Sequence, residues 1–342
     1  MPRIALIGTG LIGASIGLRL QADEVIRDLS IVGSDRYHSH AKKAQKLGAI
    51  DQVERDPARA VRGASLVILC VPVLALRRVM REIAPALEEG AVVTDTGSTK
   101  AEVMRWAEEE LPRGVHFIGG HPMAGKTDAG PEAADASLFE GARWVIVVPP
   151  SVPPSAINSV SAIVESMGAE PLFMDAAEHD AYVAAVSHLP MVAAISMFTL
   201  AFESEAWPEL SRLAAAGFRD TVRLAATEPN VAHDIVVTNR HQLVHWIERY
   251  REALLDLKER IEDKDAEEDL FQYIAKASLE FTDFMEGAVG RKENDPEGGQ
   301  PKFGISDLLM GSLLKRKVDE MGQRAEQRLE DQEREQRLRR NE

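Results

Sequence analysis

The sequence predicts an α/β protein in two parts: a doubly wound, mainly parallel sheet up to about residue 175, then an all-helical domain. Three observations carry this reading. Short apolar runs alternate with helical segments through the first 175 residues, the spacing of strand–helix–strand units around a parallel sheet. A glycine-rich turn, Gly8-Thr9-Gly10-Leu11-Ile12-Gly13, stands between the first apolar run and the first helical segment. After Asp175 strand-like runs nearly vanish and long helical segments take their place.

The first strand spans 3–7 and carries Ile4, Ala5, Leu6 and Ile7; Leu11 to Gln21 then reads as a helix. In that setting Gly8 permits a tight turn, Gly10 lets the backbone approach a pyrophosphate, and Gly13 allows close packing of helix on strand. The free N–H groups at the helix start, around Leu11 and Ile12, and the positive end of its dipole face the phosphates. This is a Rossmann-type dinucleotide site. A second strand, 30–34, ends at Asp35, 22 residues after Gly13, close to the ~20 expected of a ribose-binding carboxylate. Asp35 favours NAD over NADP, because it accepts bonds from a 2′-hydroxyl and repels a 2′-phosphate. Arg36 pulls the other way if its guanidinium binds that phosphate, and is otherwise a solvated surface residue.

Further strands are predicted at 66–71, 91–95, 115–119, 143–148 and 170–174, with helices at 74–88, 99–110 and 155–167 among them. Pro72, Pro149-Pro150 and Pro153-Pro154 mark strand ends and a loop. The single cysteine, Cys70, excludes an intrachain disulfide, and its apolar neighbours make it a core thiol rather than a nucleophile. In such sheets the ligand lies beyond the carboxyl ends of the strands. Three segments fall there: Val71-Pro72, near the cofactor; Thr94 to Lys100; and Gly119-Gly120-His121-Pro122-Met123-Ala124-Gly125. Ser98 is either a helix cap or a partner for a substrate oxygen. His121 is expected in a loop, its ring exposed by flanking glycines. A histidine there accepts the proton of an alcohol as hydride leaves the carbon; the alternative is a structural loop histidine.

Helical segments follow at about 176–203, 208–217, 229–262 and 265–288. Tyr182 to Phe202 has the length of a membrane span, but His188 and Pro190 interrupt it and acids crowd both ends, so it reads as a buried helix. Ser187-His188-Leu189-Pro190 is a kink or part of a cleft. Arg219 and Arg223, four apart, share a helix face; an arginine there grips a carboxylate in bidentate fashion or pairs with Asp220 or nearby acids. His233, Asp234, Asn239 and His241 read as structural. Gly287 to Gly304 looks like a loop, and the polar segment after it holds a brief apolar stripe (Leu314, Val318, Met321, Ala325). An extended helical domain buries its apolar faces poorly alone, so a homodimer through residues after 175 is expected.

At 342 residues the chain is long enough for about two domains, divided here as 1–175, 176–290 and a loop with a charged tail over 291–342. The net charge of −15 argues against nucleic acid or an anionic membrane as partner, and makes local arginines necessary for an anionic substrate. No metal-binding spacing is present. The N-terminus fits a strand and helix rather than a signal peptide, and the protein reads as cytoplasmic and soluble.

These pieces in this order resemble the prephenate and arogenate dehydrogenases of tyrosine biosynthesis, over roughly residues 1–290. The resemblance rests on the glycine turn, Asp95-Thr96-Gly97-Ser98-Thr99-Lys100, the Gly119–Gly125 segment, Val186-Ser187-His188-Leu189-Pro190 and Gly217-Phe218-Arg219-Asp220-Thr221-Val222-Arg223. It implies an NAD enzyme acting on prephenate by default, or on arogenate. His121 hydrogen-bonds the 4-hydroxyl and takes its proton, hydride passes to the nicotinamide, and the ring carboxylate leaves as carbon dioxide. Ser98 steadies the hydroxyl and His121, Arg223 holds a substrate carboxylate, and Ser187, His188 and Thr127 line the pocket. Two positions depart: Met191 stands where relatives often have a second histidine, and Lys126 and Thr127 where they often have an acid. The polar C-terminal segment is no ACT-type regulatory domain. A β-hydroxy-acid dehydrogenase of the same architecture would need a glycine-flanked lysine after residue 175, which is missing. A non-catalytic NAD-binding sensor would not need Ser98, His121 and Arg223 together.

Overall fold

The structure, a computed structural model, describes residues 3–22, 29–126 and 128–286. β1 (Arg3–Ile7) leads through the glycine turn into α1 (Leu11–Ala22) and β2 (Ser30–Ser34). Then come α2 (His38–Lys46), the two-residue β3 (Gln52–Val53) and the single turn α3 (Pro57–Ala60). The sequence pattern hides these three: α2 buries only Ala41 and Ala44, and the other two are too short for periodicity to register. β4 (Leu66–Leu69), α4 (Val73–Ile83), β5 (Val92–Asp95), α5 (Ala101–Glu110), β6 (His116–Pro122), β7 (Arg143–Val147), α6 (Pro154–Ser166) and β8 (Glu170–Phe173) complete the sheet and its helices.

The eight strands lie in the order β3-β2-β1-β4-β5-β6-β7-β8. Every neighbouring pair is parallel except β6 and β7, which are antiparallel. Period-two alternation sends Ile4 and Leu6 into one core with Ile16, Ile31, Ile68 and Ile118, and Ala5 and Ile7 into another with Val32, Val67, Leu69 and Val93. Both faces are therefore covered, as a parallel sheet requires. The chain winds outward in both directions from β1 and β4, which opens a crevice at their carboxyl ends.

Helices follow from Asp175, whose carboxylate caps α7 (Ala176–Val183) by accepting from Ala177 N at 2.7 Å. A π-helical turn over Ala184–His188 separates α7 from α8 (Leu189–Phe202). α9 (Trp207–Leu213), α10 (Ala216–Val222), α11 (Pro229–Thr238) and α12 (Arg240–Glu262) come next. The long helices expected at 176–203 and 229–262 are thus each interrupted, the first by the π turn and the second at Asn239.

Two compact units divide the chain, one ending at Lys258 and one beginning at Glu259. In the first, α11 ties the helices to the sheet. Asp234 accepts from Leu74 N at 2.9 Å and so caps α4 just beyond Pro72, and Thr238 Oγ1 lies 2.9 Å from Thr99 Oγ1. The second holds the end of α12 and α13 (Glu267–Met285), where Arg260 stacks on Tyr273 and pairs with Asp269. The tail expected over 291–342, with its apolar stripe, lies outside the described residues.

One expectation is corrected. The apolar stretch through Tyr182–Phe202 is not a buried helix: only 28% of its most apolar window is buried, and Val186 and Leu200 are 72% and 78% exposed. By length and composition Ala176–Phe202 could cross a membrane. Along α12 only Leu243 is buried, and Val244, Ile247, Leu254 and Leu255 are exposed.

Candidate active site

The glycine turn has the shape a dinucleotide needs. Gly8 has φ +96°, and a side chain there would meet Cys70 O at 2.3 Å; one on Gly13 would meet Gly8 O at 2.0 Å. Gly10 faces open space, with nothing within 4 Å of where its Cβ would be, so the backbone around Leu11 and Ile12 is free for a pyrophosphate. Asp35 is fixed opposite the turn, accepting from Thr9 N at 2.7 Å and from Tyr37 N at 2.8 Å. Arg36 stacks on the Tyr37 ring with 4.9 Å to its centroid. Val71 and Pro72 connect β4 to α4 at the same edge. Below them burial pushes the Cys70 thiol up to about 12, so it is inert as a nucleophile.

His121 is not in a loop. It belongs to β6, pairs with Val145 of β7 across the antiparallel ladder, and is buried. The glycines before it serve close approach rather than exposure: a Cβ on Gly120 would stand 2.4 Å from Asp95 O. Beneath this strand lies a buried ion pair. Lys100 bonds Asp95 and also donates to Gly120 O at 2.7 Å; Asp95 accepts from Gly120 N at 3.0 Å and Gly97 N at 2.8 Å. Both side chains are fully buried. The pair holds both backbone groups of Gly120 and so fixes the residue next to His121. Burial pulls the Lys100 pKa down, with Asp95 at its side working to retain the charge.

A hydrogen-bonded chain runs behind His121. Its Nδ1 lies 2.8 Å from His179 Nε2, and His179 Nδ1 lies 2.8 Å from Asp180 Oδ1. The carboxylate also accepts from Lys100 N at 2.7 Å and Ala101 N at 2.9 Å, which places it at the positive end of α5. These contacts fix the tautomers. Asp180 only accepts, so His179 donates from Nδ1 and offers a bare Nε2. His121 then donates from Nδ1 and keeps a bare lone pair on Nε2. Burial first, then His179, Lys100 and His188, hold the His121 pKa well below the usual imidazole value.

His188 shows the opposite face. Asn239 Nδ2 donates to Asp180 O at 2.7 Å, which fixes the amide orientation, and its other hydrogen points to His188 Nδ1 at 3.1 Å. His188 therefore carries its proton on Nε2, a buried atom with no partner. Burial pulls the His188 pKa down to about 4, with the Asp180 carboxylate working against it. The two rings thus leave one nitrogen able to accept, His121 Nε2, and one that carries an N–H without a partner among the described residues, His188 Nε2.

The remaining candidates are placed as follows. Ser98 does not cap the helix after β5; Asp180 does, and Ser98 is half-buried with no hydrogen-bond partner among the described residues. Ser187, half-buried, shares the π turn with His188, a helix irregularity common at functional sites. Arg219 and Arg223 are exposed, and neither pairs with an acid among the described residues. Arg223 follows α10, next to Leu224, which packs on the cluster of Met191, Ala232 and Ile235. Met191 is thus a core residue. Thr127 lies outside the described residues; Lys126 before it pairs with Asp135 at 3.0 Å. His179 and Asp180 are the functional candidates that sequence reading missed. Their only signal was a histidine and an acid side by side ahead of an apolar helix.

Comparison with known proteins gives a consistent result. A family described as "Prephenate dehydrogenase, nucleotide-binding domain" matches residues 16–172, and "Prephenate dehydrogenase, dimerization domain" matches residues 175–276. The chain is 32% identical over 302 residues to a prephenate dehydrogenase of Bacillus subtilis, covering 88% of this chain and 78% of that one. It is 33% identical over 266 residues to a cyclohexadienyl dehydrogenase of Zymomonas mobilis, covering 77% and 90%. The crystal structure of prephenate dehydrogenase from Aquifex aeolicus in complex with hydroxyphenyl propionate and NAD+ superposes with a TM-score of 0.76 at 28% identity, covering 83% of this chain and 98% of that one.

Proposed function

The chain belongs to the prephenate dehydrogenase family, and from that premise we propose that it oxidises prephenate with NAD and releases carbon dioxide and 4-hydroxyphenylpyruvate. The observation that carries this reading is the bare Nε2 of His121, buried and backed by His179 at 2.8 Å.

The residues divide the work. The open backbone at Gly10, with Leu11 and Ile12, would receive the pyrophosphate, and Asp35 the adenosine ribose. Bound NAD supplies a hydride acceptor. His121 Nε2 accepts the 4-hydroxyl proton as that carbon loses hydride, and gives it back to the phenolate oxygen once the ring carboxylate has left and the ring is aromatic. No proton is lost overall. The low basicity of His121 keeps it neutral and able to accept at neutral pH. The half-buried hydroxyls of Ser98 and Ser187 and the donor on His188 are groups that orient substrate, which is where most of the rate comes from in a reaction driven by aromatisation.

On mixing the protein with prephenate and NAD, NADH is expected to appear. With NADP in place of NAD the rate should fall at least about tenfold, the worth of a charged hydrogen bond turned to repulsion. Arogenate run in parallel sets the preference between the two cyclohexadienes. No turnover with any of these pairs would overturn the reading. Arg223, exposed and, like Arg219, without an acid partner among the described residues, is the cation that the family resemblance assigns to a substrate carboxylate. Arg223→Ala should raise KM for prephenate by about 10–10²-fold with a smaller change in kcat, since a charged hydrogen bond is worth about 1.5–3 kcal/mol; an unchanged KM would remove it from the pocket.

The exposed apolar faces of α8 and α12, together with a family match described as a dimerization domain, support a homodimer through the helices. Sedimentation should give twice the 37.6 kDa of one chain, and a monomer at micromolar concentration would exclude it. Pairing would cover the apolar stretch of Ala176–Phe202, which supports a subunit interface over a membrane span.

A further inference from the structure

We infer that His179 and Asp180 form a proton relay behind His121, so that the proton leaving the substrate is held on His179 during the hydride step. This rests on the reading of His121 as the proton acceptor. It goes beyond that reading by assigning two residues, remote in sequence from His121, a part in moving the proton.

The argument begins with where positive charge can reside. His121 is buried and faces cations and imidazoles: Lys100 from the start of α5, His179 from α7 and His188 from the π turn. The acids nearby, Asp95 and Asp180, are each already bound to other donors. An imidazolium on His121 is therefore poorly placed. His179 differs in one respect. Its Nδ1 is 2.8 Å from the Asp180 carboxylate, so a second proton on that ring gives a cation in direct contact with an anion.

The tautomers make the transfer balanced. In the resting site His179 Nε2 holds a lone pair aimed at the Nδ1–H of His121, 2.8 Å away. When His121 Nε2 binds the substrate proton, the N–H bond at His121 Nδ1 breaks and one forms at His179 Nε2. His121 ends neutral with its hydrogen on the other nitrogen, and His179 becomes imidazolium beside Asp180. On return, His179 gives up the Nε2 proton and His121 delivers its own to the phenolate oxygen. No outside acid or base is required.

Position alone could also explain the chain, with His179 simply holding the ring of His121. His179→Gln separates the two. A glutamine oxygen can accept from His121 Nδ1 and its amide can donate to Asp180, so orientation survives; it cannot take a proton. The relay predicts that kcat for prephenate falls by about 10²-fold while NAD affinity and melting temperature stay close to wild type. It also predicts that the dependence of kcat on the deuterium fraction of the solvent, bowed in the wild type because two protons move, becomes linear. Where the glutamine variant folds poorly, His179→Ala with added imidazole replaces it, and recovery of kcat with imidazole supports the relay. Wild-type turnover is measured first. If the wild type fails, the reading of the site is wrong; if it turns over and His179→Gln matches it in kcat and in solvent dependence, the relay alone is overturned, as it is when imidazole leaves the alanine variant inactive.

Discussion

Replacing His121 with asparagine should lower kcat by about 10²–10⁴-fold, the usual worth of a general base, and leave NAD affinity unchanged. Asparagine fits the strand position beside Gly120 and can still meet His179, but it has no lone pair able to hold a proton at neutral pH. The glycine turn, Asp35 and the Asp95–Lys100 pair do not depend on the ring. The pH profile is the companion test. Burial and the neighbouring His179, Lys100 and His188 depress the His121 pKa. A depressed imidazole is neutral over more of the acid range, so its base form persists as pH falls. The acid limb of kcat/KM should therefore lie well below 6.5, and activity should stay level from pH 8 to 6.5. A limb centred at or above 6.5 that disappears in the asparagine variant would place His121 in a more polar setting than its burial describes. An asparagine variant with wild-type kcat would remove the ring from the chemistry.

Much of the fold was legible because apolar runs and glycines report local geometry. The runs at 3–7, 30–34, 66–71 and 91–95 are strands, within two residues at their ends, and the glycine turn lies between strand and helix as its order implied. What escaped was non-local. Gly119-Gly120 reads as a loop, but the missing side chains serve contact with Asp95 and Lys100, which stand 25 and 20 positions before Gly120. Ser98 had the composition and place of a helix cap; the cap came instead from Asp180, 80 residues from Lys100. His179 meets His121 across 58 residues, and neither period nor spacing encodes such a pairing. Met191 stands out in the sequence only as a departure from the histidine that relatives often carry, and its packing on Ala232 and Ile235 is not visible there. The apolar stretch through α8 reads as buried because composition records how apolar a helix is and not how much of it the fold covers.

Lys100→Met should destabilise the protein by about 3–5 kcal/mol, the cost of leaving a buried charge without its partner. For a chain of 342 residues that is roughly 4–7 °C in Tm, and a large share of the total stability. The lysine is fully buried, bonded to Asp95 and to Gly120 O. Methionine fills similar volume yet satisfies neither group, so Asp95 keeps its charge with only the Gly97 and Gly120 N–H groups beside it. The ion pair itself need not be stabilising, because taking two charges out of water costs about as much as their attraction returns. What is expensive is half of it. The double variant Asp95→Asn with Lys100→Met should therefore be less destabilised than Lys100→Met alone, although it carries more changes, and thermal or urea melts of the three proteins measure this directly. Equal melting of wild type and Lys100→Met would mean that the carboxylate does not depend on the lysine. The pair would then have to be explained through position alone: it holds both the N–H and the C=O of Gly120, and through them the next residue, His121, at the end of β6.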